Sequence, residues 1–165
     1  MRGERQGEDE CMLAVIADLT GAPLSQVRAT ALAYSQKRTW AEVCDIPGAN
    51  LSSLWWKTVF YLCDCFDTTK KLAHTLVQAS TVRREEATQC AATALPIDIL
   101  ELPLKGKGVI VMVAAHDPST GHIVPWEDGL AYDSNIPNNP GESLAVVKAF
   151  YRKTFGFVVQ GISQL

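Results

Sequence analysis

Gly108-Val109-Ile110-Val111-Met112-Val113-Ala114-Ala115-His116, then His122-Ile123-Val124-Pro125-Trp126, then Leu130-Ala131-Tyr132-Asp133 are three β-rich runs in close succession. Between them stand Asp117-Pro118-Ser119-Thr120-Gly121 and Glu127-Asp128-Gly129, two clusters of turn-forming residues. Strand-prone runs joined by connections this short can only return on themselves, so the stretch predicts an antiparallel meander. Downstream, Pro140-Gly141 leads into a helix over 142–154, and Phe157-Val158-Val159-Gln160 forms a β-rich tail. Upstream, Ile97-Asp98-Ile99-Leu100-Glu101-Leu102 alternates in part and marks, with Pro96, the point where the chain changes character.

Before that point the pattern is helical. Cys11-Met12-Leu13-Ala14-Val15-Ile16-Ala17-Asp18-Leu19 is apolar nearly all round and is followed by Gly21 and Pro23, the residues expected just past a helix end. It predicts a buried central helix. Residues 24–36 predict a more amphipathic helix introduced by Pro23 with Ser25 as its cap, and 40–53 reads as looser chain. Residues 54–66 carry five aromatics and read as a core helix; 68–89 reads as a further helix followed by a loop. Helices first and strands afterwards define an α+β fold, with an N-terminal helical layer packed on a C-terminal antiparallel sheet.

The 165 residues suit one domain, 1–165, large enough to bury a core without staples. Hydrophobic residues at 47% and charged residues at 20% exclude a disordered chain. Fifteen basic against eighteen acidic side chains give a formal charge of -3, which favours neither nucleic acid nor an anionic membrane as partner. No apolar stretch approaches the roughly 20 residues of a membrane span, and Met1-Arg2-Gly3-Glu4-Arg5-Gln6 lacks the apolar core of a secretory signal, so a cytoplasmic protein is expected. The five cysteines, at 11, 44, 63, 65 and 90, fit neither a disulfide framework nor paired zinc knuckles. Reduced thiols, no metal and no cofactor are expected, with the thiols other than Cys11 in the core.

Cys11 stands where a polar arm turns into the buried helix, so free backbone N–H groups and the positive end of the helix dipole lie near its sulfur and favour a thiolate. Glu8, Asp9 and Glu10 crowd the same helix start and oppose it. Of the three histidines, His74 lies in a polar helical stretch and reads as a surface residue. His116 and His122 flank the first hairpin turn, and pairing across loop residues 117–121 sets them opposite each other. A two-residue Asp128-Gly129 turn pairs Glu127 with Leu130, hence Val124 with Asp133 and His122 with Asn135. Asp133 and Asn135 then share the face of His122, and either can hold the imidazole in the tautomer that faces a thiol.

Gln6-Gly7-Glu8-Asp9-Glu10-Cys11-Met12-Leu13-Ala14, with Gly121-His122-Ile123-Val124 and Tyr132-Asp133-Ser134-Asn135 in that order, resembles the papain-like cysteine peptidases that trim double-glycine leaders from bacteriocins. The resemblance implies a papain-like fold, a peptide or protein substrate, and a site of Gln6, Cys11, His122 and Asp133. In that family the glutamine helps to form the oxyanion hole, the cysteine attacks, the histidine is the base and the aspartate orients it. A relative that has lost catalysis would keep the fold and use the cleft to bind a peptide or a protein.

Overall fold

An apolar run without a polar face is stable as a helix only where protein surrounds it, and the start of this chain meets that condition. The computed structural model describes residues 7, 9–44, 53–80, 105–114, 121–133 and 141–165. Gln6, Glu8, His116, Asn135, Cys90, the loop expected over 81–89 and the partly alternating run over 97–102 lie outside the described residues.

Helix α1 (Cys11–Thr20) buries Met12 through Leu19, and ends where the Gly21 N–H bonds Ala17 O at 2.9 Å. Helix α2 (Leu24–Ser35) places Leu24, Val27 and Ala31 on one stripe. Its cap is Pro23 and not Ser25, which stands inside the first turn; Pro23 has no N–H to satisfy and holds the φ of -62° that enters a helix. A short helix, α3 (Trp40–Cys44), occupies part of the stretch expected to be loose. Thr39 and Glu42 explain it: Thr39 Oγ1 accepts from Glu42 N at 3.3 Å while Glu42 Oε2 accepts from Arg38 N at 3.2 Å, a reciprocal cap.

Helix α4 (Ser53–Phe66) turns Trp55, Val59, Leu62 and Cys63 inward at helical spacing, whereas Phe60 and Tyr61 face solvent. Asp67 then starts α5 (Leu72–Ser80), its carboxylate accepting from the backbone N–H groups of Thr69, Lys71 and Leu72.

The sheet is antiparallel throughout, in the order β4-β3-β2-β1-β5. Its strands are β1 (Lys107–Ala114), β2 (Gly121–Glu127), β3 (Leu130–Ala131), β4 (Glu142–Ser143) and β5 (Phe157–Gln164). The tail therefore returns to the far side of β1, which local pattern did not foretell, and makes β1 an interior strand. Helix α6 (Leu144–Phe155) begins at the Ser143 cap, whose Oγ accepts from Val146 N at 3.2 Å.

Three layers result, one more than expected. Val109, Val111 and Ile123 point to the N-terminal helices, whereas Ile110, Met112, Val124 and Trp126 point to Leu144, Val147 and Tyr151 of α6. Burial on both faces is why β1 reads as a continuous apolar run and not as an alternation.

The second hairpin has the expected two-residue turn: Glu127 pairs with Leu130, and Asp128 and Gly129 both take positive φ, 49° and 81°. That is the backbone whose twist matches paired strands, and it suits aspartate and glycine. The first hairpin differs from expectation. Met112, not His116, lies opposite His122. This register sets Ile110, Met112, Val124 and Trp126 on the face toward α6, and a slip of one residue would exchange the side chains of the two buried faces.

Candidate active site

The site is assembled from three places in the fold. Helix α1 presents Cys11 at its first position, β2 presents His122 near its beginning, and the chain leaving β3 presents Asp133. Cys11 N–H is among the orphan donors of a helix start, because the earliest intrahelical bond belongs to Ala14 N, donated to Glu10 O at 3.0 Å.

His122 Nε2 lies 3.3 Å from Asp133 Oδ1, and both side chains are buried, His122 at 8% exposure and Asp133 at 2%. The register explains the contact. Continuing the hairpin past Ala131, where Tyr132 N bonds Pro125 O at 2.9 Å, brings Asp133 beside Val124 and one diagonal step from His122. Cys11 faces the same imidazole closely enough to act on its proton affinity. With Nε2 turned to the carboxylate, Nδ1 is the ring nitrogen left for a second partner. Burial pulls the imidazole pKa down, but hydrogen bonds to Asp133 and Cys11 and the negative charge of both groups outweigh it and push it up to about 9. The imidazole therefore favours its cationic form beside the Asp133 carboxylate.

Of the acids at the helix start, Asp9 and Glu10 are among the described residues. Glu10 is buried and its Oε2 accepts from Arg28 Nε of α2 at 2.7 Å, so its charge is paired and not left against the sulfur. Asp9 is exposed and takes a left-handed φ of 58° in the turn before α1. A cleft of about 440 Å³ opens there, lined by Asp9, Ala41, Glu42 and Cys44.

The other described cysteines are free, like Cys11, but differ in surroundings. Burial, helped by Asp9 and opposed by a hydrogen bond from Trp55, pushes Cys44 up to about 12, and burial with Asp67 and Asp64 does the same to Cys63. Both remain thiols at neutral pH. Cys65 is exposed, contrary to the expectation of a core residue, because two residues along a helix from Cys63 is the opposite face. His74 is on the surface. Among the described residues no group of three or more His, Cys, Asp or Glu side chains could hold a metal ion.

One participant was not foreseen. Tyr151 of α6 donates its hydroxyl to Asp133 Oδ2, and its ring lies 4.9 Å from the imidazole with 30° between the planes. Its spacing from Leu144 and Val147 marks it as a core position of α6, and a tyrosine there needs a partner for its O–H.

Comparison with known protein families, with curated proteins and with solved structures gives no match for this chain.

Proposed function

We propose that this chain is a papain-like cysteine hydrolase that cleaves an amide or isopeptide bond in a peptide or protein, with Cys11 as nucleophile, His122 as acid and base, and Asp133 as orienting residue. The observation that supports this reading best is the meeting of Cys11, His122 and Asp133 from three separate elements, with His122 bonded to Asp133 at 3.3 Å and its imidazole pushed up to about 9 by both neighbours. Gln6, outside the described residues, takes the second oxyanion donor by the family pattern.

The reaction follows from these atoms. Cys11 thiolate adds to the carbonyl carbon, and the oxygen that gains charge receives the Cys11 backbone N–H and the Gln6 amide. As the C–N bond breaks, the imidazolium of His122 gives its proton to the departing amine, leaving a thioester on Cys11. Neutral His122 then takes a proton from water, whose oxygen attacks the thioester; the acid departs, and thiolate and imidazolium are restored. Asp133 keeps Nε2 protonated throughout, so that Nδ1 is the nitrogen that exchanges protons.

No described helix is long and apolar enough to cross a membrane. The free cysteines accord with a reducing, cytoplasmic setting and with a substrate met there.

Hydrolysis of a quenched fluorescent peptide pool by the full chain, with Cys11→Ala and His122→Ala as controls, tests the proposal. Turnover should fall by at least about a thousandfold in either variant, as expected when one member of a nucleophile and base pair is removed. Saturable peptide binding without turnover, unchanged in Cys11→Ala, would assign the fold to a binding module instead.

A further inference from the structure

We propose that Tyr151 is a positioning residue of the site, its hydroxyl fixing Asp133 so that Oδ1 stays on His122 Nε2. The role rests on the reading of His122 as acid and base.

A carboxylate has two equivalent oxygens and a soft terminal torsion, so one contact does not fix its plane. Here the two oxygens are held from different elements: Oδ1 meets His122 of β2, and Oδ2 receives the Tyr151 hydroxyl of α6. The β3 ladder ends at Ala131, so Asp133 stands beyond the last ladder pair and its side-chain contacts carry its placement. The tyrosine is itself rigid. It is 2% exposed, stacks on Phe157 at 5.9 Å and 13°, and meets Phe150 edge-on at 5.2 Å. The same ring backs the imidazole, so one side chain limits rotation of both partners.

A phenylalanine would fill this hole in the core equally well; what tyrosine adds is the donor, and the donor is spent on Asp133. Among the described residues the titratable groups that face His122 are Cys11 from α1, Asp133 from the chain after β3 and Tyr151 from α6. Tyr151 thus lies one hydrogen bond behind the carboxylate and acts on the imidazole through it. Without its donor, Oδ2 loses the Tyr151 hydrogen bond, and the carboxylate either turns or takes up a proton more readily, each of which weakens its hold on the imidazolium.

The test is the titration of His122 followed by imidazole NMR in the full chain, in Tyr151→Phe, in Asp133→Asn and in the double variant. Tyr151→Phe keeps the ring and its stacking. It should lower the proton affinity of His122 roughly tenfold, a drop of about one pH unit in its midpoint. In the Asp133→Asn background the same change should produce no further drop, since the tyrosine acts through the carboxylate. An unmoved titration in Tyr151→Phe, with only the melting temperature lowered, would overturn the proposal. A drop of the same size in the Asp133→Asn background would do so as well. The readout needs no turnover: the predicted titrations in a chain that hydrolyses nothing would uphold the role of Tyr151 in holding the imidazole while striking the hydrolase reading alone.

Discussion

Cys11 and Cys65 differ in both access and surroundings. Cys65 is exposed, while Cys11 is half-buried and faces the His122 imidazole. The imidazolium at that site has a calculable reach in pH. In the proposed mechanism it must be protonated to release the amine, and it loses its proton as pH rises through about 9, so kcat/KM for an amide substrate should hold through neutrality and fall on an alkaline limb near 9. A pH profile measures this, and a limb near 6.5, the ordinary histidine value, would mean that Asp133 and Cys11 do not act on the ring. At this scale much was legible in the sequence. Cys11 at a helix start and Asp133 on the His122 face follow from chemistry and hairpin parity alone. Choosing Asp133 over Asn135 rested on charge and on the resemblance. The Arg28 that pairs with Glu10 was not legible, because nothing in a linear pattern says which basic residue of α2 meets which acid before α1. The signal for Tyr151 was present as a polar tip on a core stripe, and it went unread.

Among the elements, β2 carries the histidine and begins at a glycine for a reason of space. A Cβ at Gly121 would stand 2.9 Å from the Met112 carbonyl oxygen, a backbone atom that cannot swing aside. Gly121→Ala should therefore displace the start of β2, costing about 1–3 kcal/mol of stability. It should also lower turnover roughly tenfold or more through the misplaced His122, its neighbour. Denaturant titration and initial rates measure the two effects. Ser143→Ala serves as the contrast: it removes the α6 cap at a cost of about 1 kcal/mol and, if α6 stays docked, leaves the pH profile in place. Helices α1 and α4 and the second hairpin could be read directly, since each is specified by its own periodicity or turn. The pairing of β5 with β1 could not, because it joins residues some fifty positions apart and depends on how the layers close, not on either strand.

For the whole molecule, two buried ionic groups set opposing pH limits on stability. His122 is raised when folded, so its contribution is complete below the unfolded value of about 6.5. That contribution is lost as pH rises through about 9. Asp67 is the opposite case. Burial alone would raise its carboxyl, but the N–H groups of Leu72, Thr69 and Lys71 and the Thr69 hydroxyl outweigh that and hold it below the usual value. Its contribution is present above the ordinary carboxylate range and lost as pH falls through the depressed folded value. Scanning calorimetry should place the highest melting temperature at roughly pH 5 to 6.5, with a decline toward pH 10 that His122→Ala flattens. A melting temperature that climbs from neutrality to pH 10 would contradict the ion pair. The α+β class was legible at this scale because helices and strands are segregated along the chain. The third layer was not, because α6 reveals which face it covers only once β5 has closed the sheet.

The central claim is that Cys11 is an activated thiol held by His122, and mapped alkylation tests it most directly. At pH 6 an ordinary thiol is almost entirely protonated and reacts slowly with iodoacetamide, whereas a thiolate held by an imidazolium reacts quickly. With limiting reagent, peptide mapping should find the label on half-buried Cys11 ahead of exposed Cys65, and that preference should vanish in His122→Ala. Labelling of Cys65 first, or a Cys11 preference that survives the loss of His122, would contradict it.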